Sequence, residues 1–273
     1  MNTHEIKHKA NQIRINSLKM IHRAKSGHPG GSLSIADILS VLYFGGHMKY
    51  DPKNPEWADR DILIVSKGHS SPAVYSALGL AGFFKIEDTL SFRSLGSSFQ
   101  GHIDRMKVAG VEISTGSLGH GLSNALGMAL AARLDSSPKK IFAILSDGEL
   151  QEGSSWEAIM AAAHYQASNL IAFVDRNRIQ LDGYTEKTMG LDPLSDKFKA
   201  FNWEVIECDG HDIAALNSSL EQAYTTKNKP TVIIANTIKG SGVSFMADQV
   251  KWHGVAPNDE DLAKAVKELE ALV

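Results

Sequence analysis

The sequence predicts an α/β fold in which a mostly parallel β-sheet carries helices on both faces. Short runs of apolar, β-branched residues alternate along the chain with longer segments of helical periodicity. Strands that are apolar without interruption are typical of a parallel sheet buried on both faces. The 273 residues show no internal repeat and no low-complexity linker, so we expect a single domain over residues 1–273.

Each element follows from a local pattern. Apolar residues at helical spacing predict a first helix over about residues 1–25, ended by Gly27 and Pro29, and a second helix from near Ser34. The other predicted helices are 70–80, 122–134, 154–167, 213–226 and 259–272, and the predicted strands are 61–65, 140–145, 169–174, 203–208 and 231–235. The helix over 122–134 is small and apolar all round, so we expect it to be buried. Residues 91–117 are rich in Gly and Ser and should form an irregular, functional loop.

Composition excludes several classes of protein. Lys and Arg number 28 against 31 Asp and Glu, and a net charge of −3 argues against nucleic-acid or anionic-membrane partners. A single cysteine, Cys208, allows neither an intramolecular disulfide nor a thiolate metal cluster. The sequence shows no secretory leader and no uncharged apolar run of 18 residues. We therefore expect a cytoplasmic protein.

A carboxylate and an amide follow two successive predicted strands. Asp147 comes after the strand at 140–145 and Asn177 after the strand at 169–174, a spacing of about one βαβ unit. Their oxygens, with a nearby backbone carbonyl, suit Mg²⁺ or Ca²⁺, and Gly148 would let a phosphate approach the backbone. The alternative is that Asp147 caps the following helix and Asn177 lies in a turn.

Six glycine-containing motifs surround this pair in a fixed order. They are Ser26-Gly27-His28-Pro29-Gly30, Lys67-Gly68-His69, Gly101-His102, Thr115-Gly116-Ser117-Leu118-Gly119-His120-Gly121, Asp147-Gly148-Glu149-Leu150-Gln151-Glu152-Gly153 and Trp252-His253-Gly254. Together they resemble the N-terminal, diphosphate-binding part of transketolase, over about residues 10–255. The resemblance implies a thiamin diphosphate-binding fold with Mg²⁺ as the metal, for which Ca²⁺ or Mn²⁺ can substitute.

The resemblance also implies roles for individual residues. Asp147, Asn177 and the carbonyl of Ile179 match the metal ligands. The positions that match cofactor-binding residues are His69, Gly116, Ser117, Leu118, Gly148, Glu149, Asn177 and His253. His28, His102 and His253 match histidines of the sugar channel, where an imidazole can give and take a proton near neutral pH. For each histidine the alternative is a surface or packing role.

Two acidic residues and three departures from the family pattern complete the resemblance. Glu152 matches a glutamate at the dimer contact and Glu157 is its expected companion, although both could instead be charges favoured at a helix N-terminus. Ser146 replaces the usual glycine before Asp147, and Ile103 replaces the usual proline after His102. The second change alters the rim of the substrate channel and hence the expected sugar preference. His120 stands where related sequences often carry glutamine, so a packing role is equally expected.

The chain is less than half the length of full transketolases. The pyrimidine-binding domain, with the glutamate that activates the cofactor, and the C-terminal domain are expected on a partner chain, in a heterotetramer. The implied reaction, as in the pentose phosphate pathway, moves a two-carbon ketol unit from a ketose to an aldose, both phosphorylated or otherwise anionic. The alternatives are a deoxyxylulose phosphate synthase-like enzyme, a 2-oxo-acid dehydrogenase component and a non-catalytic homologue.

Overall fold

The computed structural model describes residues 1–181 and 183–272. Its centre is a sheet of five parallel strands in the order β1-β2-β3-β5-β4. The strands are β1 (Ile62–Val65), β2 (Ile141–Ser146), β3 (Leu170–Arg176), β4 (Glu204–Asp209) and β5 (Thr231–Asn236). The helices are α1 (Thr3–Ala24), α2 (Pro29–Ser34), α3 (Ala36–Phe44), α4 (Ser71–Ala81), α5 (Gly121–Leu134), α6 (Gly153–His164), α7 (Thr185–Thr188), α8 (Leu194–Ala200), α9 (Ile213–Thr225) and α10 (Asp259–Glu270). The predicted α/β class is therefore confirmed.

Successive side chains of each central strand pack into different cores. Phe142 and Ile144 of β2 pack with residues of α1, α3, α4 and α9. Their neighbours Ile141, Ala143 and Leu145 pack with residues of α5, α6 and α8. This alternation follows from the two-residue period of a strand, and it explains why the sheet strands are apolar on both sides.

A third cluster fastens the last helix to the first. Leu18 of α1 and Leu33 of α2 pack with Ala265 and Leu269 of α10, and Trp252 joins them from a short 3₁₀ turn, Val250–His253. The contact brings residues near the end of the chain beside α2, whose first residue is Pro29. As a result, His28 and His253 lie close together, with ring centroids 5.5 Å apart.

The structure differs from the sequence-based expectations in three places. β3 runs two residues further than predicted, so Asp175 and Arg176 belong to the strand. The short helices α2, α7 and α8 were not predicted, because so few residues carry no clear period. The expectation that the helix over 122–134 is buried is wrong for one face, since Gly127 and Leu134 are exposed.

Two further expectations concern loops and membranes. Residues 92–120 form neither helix nor strand, as expected for the irregular segment at 91–117. Within the described part of the chain, no helix is long and apolar enough to cross a membrane.

The sheet register brings three strand ends together. Ser146 at the end of β2 pairs with Asp175 of β3, and Arg176 of β3 pairs with Asn236 at the end of β5. The residues that follow these strands therefore meet at one edge of the sheet. Ligands of open α/β sheets bind at this edge.

Candidate active site

A cavity of about 360 Å³ lies at the carboxyl edge of the sheet. Most of the residues predicted for the site line it. These are His28, His69, His102, Gly116, Leu118, Gly148, Glu152, Asn177, Ile179 and His253. Ser117, Asp147, Glu149 and Glu157, which were also predicted, are not among its lining residues. The sequence motifs therefore converge in space, although they are spread over 226 positions from His28 to His253.

Asp147 is buried beneath the cavity, at the start of a 3₁₀ turn, Gly148–Gln151. Its Oδ1 accepts a hydrogen bond of 2.8 Å from the Gly148 N–H, and its Oδ2 accepts from the Arg178 N–H. The structure therefore shows Asp147 capping the following turn, as the alternative expected, but this cap uses only Oδ1. Burial, followed by the nearby charge of Asp175, raises the pKa of Asp147 to about 6 against the opposing effect of Arg176.

Asn177 is fixed in one orientation by its neighbours. Its Nδ2 donates to the Asp175 carboxylate at 2.8 Å, and its Oδ1 accepts from the Ile179 N–H at 3.1 Å. A carboxylate can only accept, so Oδ1 must be the atom on the other side, and an amide oxygen has a second lone pair to offer. The predicted ligand oxygen is therefore available at the cavity wall.

The donor set suits a hard divalent cation. Among residues 1–181 and 183–272, no group of three or more His, Cys, Asp or Glu side chains could hold a metal ion. The predicted set instead combines the Asp147 carboxylate, the Asn177 amide oxygen and the Ile179 carbonyl. Three oxygens with room for water and phosphate are what Mg²⁺ requires, so these residues fit the metal that the sequence predicts.

Two buried lysines, Lys67 and Lys239, also line the cavity, although the sequence patterns indicated no role for them. Lys67 donates to the Asp175 carboxylate and, at 3.2 Å, to the Gly31 carbonyl. Burial opposes ionisation of Asp175, but Lys67 and two hydroxyl donors hold its pKa below the ordinary value. Lys67 therefore neutralises a carboxylate that could otherwise compete for the metal.

Lys239 is the second lysine and is 3% exposed. Its Nζ donates to the Ile179 carbonyl at 3.0 Å and to His253 Nδ1 at 2.8 Å. Burial, followed by the charge of Lys67, lowers its pKa to about 7. One indication of Lys239 was present in the sequence: it comes soon after the end of β5, just as Asn177 comes directly after the end of β3.

Four histidines form one wall of the cavity. The ring centroid of His28 lies 5.1 Å from that of His69, 6.1 Å from His102 and 5.5 Å from His253, and His69 lies 5.6 Å from His253. Burial and then Arg93 lower the pKa of His28 to about 4, and burial and then Lys239 lower that of His253 to about 3. The pKa values of His69 and His102 are also lowered, mainly by burial. All four are therefore neutral at pH 7.

Glu149 lies beneath the loop that carries Gly116 and Leu118. Its carboxylate accepts from the Gly119 N–H at 2.9 Å, from the Ser146 N–H and from the Ser66 hydroxyl, and burial raises its pKa. These contacts position the loop from inside the protein. The neighbouring Ser117 is exposed, as are Glu152 at the cavity and Glu157 on α6.

Comparison with known proteins agrees with this arrangement. Residues 6–271 match the family described as transketolase, thiamine diphosphate binding domain. The chain is 45% identical, over 97% of its length and 96% of the relative, to the 6-deoxy-6-sulfo-D-fructose transketolase subunit SqwG of Clostridium sp. (strain MSTE9). It is 39% identical to an apulose-4-phosphate transketolase subunit of Phocaeicola vulgatus, over 98% of this chain and 94% of that one.

A solved structure gives the same result. The transketolase of Campylobacter jejuni superposes with a TM-score of 0.93 at 38% identity, over 99% of this chain and 43% of that one. The fold and cavity thus define a thiamine diphosphate-binding protein. The chain belongs to the transketolase family, with the length of that family's separate subunits rather than of its full-length members.

Proposed function

We propose that this subunit binds thiamin diphosphate through Mg²⁺ and, with a partner subunit, transfers a two-carbon ketol unit from a ketose to an aldose. One observation carries the proposal: four neutral histidines line the same cavity as Asn177 and Ile179, two members of a hard-oxygen donor set whose third member, Asp147, is buried next to Gly148 of the cavity wall. The first suits a metal-held diphosphate, and the second suits a substrate with several hydroxyl groups.

The chain's own groups account for cofactor retention. Asp147, Asn177 and the Ile179 carbonyl would hold the metal, while the missing Cβ of Gly148 leaves its backbone open to a phosphate. Lys239 places a positive charge beside the Ile179 carbonyl, where it would offset the charge of the diphosphate. When bound, the cofactor supplies the centre that stabilises the carbanion formed by carbon–carbon cleavage.

The histidines would move the protons. His253 accepts from Lys239 at Nδ1, so its Nε2 carries the hydrogen and can donate to a sugar oxygen. His28 lines the cavity and its Nδ1 is buried without a hydrogen-bond partner within the described residues, so the ring would meet a substrate hydroxyl through Nε2. Because both pKa values lie well below 7, the two rings are neutral at physiological pH and would act on a substrate as neutral hydrogen-bonding groups.

The names of the relatives support an anionic sugar as substrate, since one contains a sulfonated ketose and the other a sugar phosphate. Arg93 adds positive charge close enough to His28 and His102 to lower both pKa values. Both relatives are also named as subunits. We therefore extend the proposal to a partner that carries the pyrimidine-binding domain and the activating glutamate, joined near Glu152 and Glu157 in a cytoplasmic heterotetramer.

The test is reconstitution with the partner subunit. The purified pair is given Mg²⁺, thiamin diphosphate and either a ketose with an aldose or pyruvate. Ketol exchange supports the proposal, whereas decarboxylation of pyruvate would support a synthase or a 2-oxo-acid dehydrogenase component. Calorimetry that detects no cofactor binding by the pair would indicate a non-catalytic homologue, and exchange by this chain alone would disprove the need for a partner.

A further inference from the structure

His211 joins a buried carboxylate to the backbone beside the cavity. It lies between β4 and α9, in the run Asp209-Gly210-His211-Asp212, and its side chain is 16% exposed. Its Nδ1 lies 2.9 Å from Asp37 Oδ2, and its Nε2 lies 2.8 Å from the backbone nitrogen of Ile238. It does not line the cavity, so any effect that it has on the site passes through another residue.

The two contacts determine the tautomer of His211. A backbone N–H can only donate, so Nε2 must present a lone pair to Ile238. The ring hydrogen is then on Nδ1, where it is donated to the Asp37 carboxylate. This arrangement orients the ring and aims its lone pair at the Ile238 N–H.

Asp37 is itself firmly held. Burial opposes its ionisation, but the Arg14 guanidinium, the His211 hydrogen bond and the Lys7 ammonium hold its pKa well below the ordinary value. Lys7 Nζ lies 2.9 Å from Asp37 Oδ1 and also donates to the His211 carbonyl at 3.1 Å. The anchor behind the ring therefore stays charged and is tied to α1.

Ile238 lies between two residues whose positions matter for the site. Before it, the Thr237 hydroxyl donates to Asp175; after it, Lys239 reaches Ile179 and His253. The Ile238 side chain is 47% exposed, so packing does little to fix this residue. The Thr237 N–H donates to the Arg176 carbonyl at 3.3 Å and the Gly240 N–H to the Gly30 carbonyl at 3.1 Å, so the segment is held on both sides. Between these two bonds, the bond from the Ile238 N–H to His211 holds the peptide directly before Lys239.

We propose that His211 is a positioning residue for Lys239: by holding the Ile238 N–H, it keeps the lysine ammonium directed at the diphosphate end of the cavity. The inference rests on the proposed function, because Lys239 needs this placement only if a diphosphate binds there. It gives a role to the Asp209–Asp212 motif that the cofactor and metal assignments leave unused.

Two conservative substitutions separate the contacts of the ring. In His211→Asn the amide reaches Asp37 but is too short to reach Ile238, whereas in His211→Gln the longer amide can present an oxygen to the Ile238 N–H. With the complete assembly and Mg²⁺, we expect the Kd of thiamin diphosphate to rise about tenfold in His211→Asn, the effect of one hydrogen bond. His211→Gln should recover most of this loss, and both variants should keep the thermal midpoint of the wild type.

A double-mutant cycle with Lys239→Met tests whether the effect passes through the lysine. In the Lys239→Met background, His211→Asn should leave the Kd unchanged. The same tenfold loss in both backgrounds, or a wild-type Kd for His211→Asn, would overturn the inference.

Hydrogen exchange of the cofactor-free chain gives a readout that does not depend on the proposed function. The peptide covering residues 231–245 should exchange faster in His211→Asn than in the wild type or His211→Gln. Equal rates would disprove the positioning role even if the cofactor binds. Absence of binding by the wild-type assembly, with faster exchange in His211→Asn, would contradict the proposed function and leave the anchoring of Ile238 supported.

Discussion

Asp147 is a carboxylate kept in a place that disfavours its charge. It is fully buried, and the neighbouring Asp175 is already ionised and paired with Lys67. A group so placed gains little for the stability of the empty protein, because burial penalises its charged form. A pKa raised to about 6 is common among ionisable groups at functional sites.

Asp147→Asn should therefore separate binding from stability. We expect the Mg²⁺-dependent affinity for thiamin diphosphate to fall at least a hundredfold, since a charged metal ligand is lost. At pH 7 to 8 the thermal midpoint should not fall by more than a few degrees, because the substitution also removes a buried charge. Calorimetry and thermal melts measure the two effects, with Asp196→Asn on α8 as the exposed control. Unchanged affinity would contradict the metal assignment.

The affinity for the cofactor should depend on pH in two directions. Below a pH of about 6, Asp147 takes up a proton and stops binding the metal. Above a pH of about 7, Lys239 loses its proton and with it the attraction for a diphosphate. The association constant, measured by calorimetry at a series of pH values, should thus be greatest between about 6 and 7.

Lys239→Met provides the matched control for this profile. It keeps Asp147 and every titration of the cofactor itself, but lacks the amine. The fall in affinity above pH 7 should therefore disappear in the variant while the fall below pH 6 remains. A wild-type profile that is flat from pH 7 to 9 would argue against contact between Lys239 and the diphosphate.

At the scale of elements, the local sequence patterns predicted the strands of the sheet, but they did not predict which face of each helix is buried. Continuous apolar runs marked β1, β2, β3 and β5, because a strand buried on both faces admits no polar alternation. The strand β4 lies at the edge of the sheet, and its apolar residues are interrupted by Glu207. The small residues of α5 did not indicate which face of that helix is buried. Gly127 and Ala125 are both small and uncharged, but Gly127 is exposed and Ala125 is buried. The pairing of Lys67 with Asp175 spans 108 positions, and no local pattern signals a contact at that distance.

Two glycines of α5 should respond in opposite ways to alanine. A Cβ at Gly121 would lie 2.8 Å from Ser66 Cα and closer still to the Ser66 side chain, whereas a Cβ at Gly127 meets nothing within 4 Å. Gly121→Ala should destabilise the chain by about 1–3 kcal/mol through overpacking against the end of β1. Gly127→Ala should stabilise it by about 0.5–1 kcal/mol through helix propensity. Urea unfolding measures both, and equal effects would contradict the packing of α5.

At the scale of the whole molecule, the site is made by three strand ends and by two segments far apart in sequence. His28 precedes α2 and His253 ends the last 3₁₀ turn, and the packing of α1, α2 and α10 brings them together. The motifs predicted many of the residues that line the cavity. They could not predict the hydrogen bonds of the buried lysines, Lys67 and Lys239, because the tertiary fold brings these lysines to their partners.

Ligand binding should stabilise this assembled edge as a unit. Mg²⁺ with thiamin diphosphate at a hundredfold excess over Kd should add about 2.7 kcal/mol to the free energy of unfolding of the assembly. Removal of the metal with EDTA should return the thermal midpoint to that of the cofactor-free protein. Asp147→Asn should show no rise on addition of the ligands, and a rise equal to that of the wild type would contradict a site built on this carboxylate.

The neutral histidines of the cavity also affect how the stability of the protein depends on pH. An unfolded chain takes up protons on histidine near pH 6.5, whereas folded His28 and His253 do so only near 4 and 3. Between those values these two histidines bind more protons in the unfolded form, so their contribution to the free energy of unfolding decreases as the medium is acidified. These two neutral rings thus make the protein less stable in acid, and mildly acidic storage buffers should shorten its shelf life.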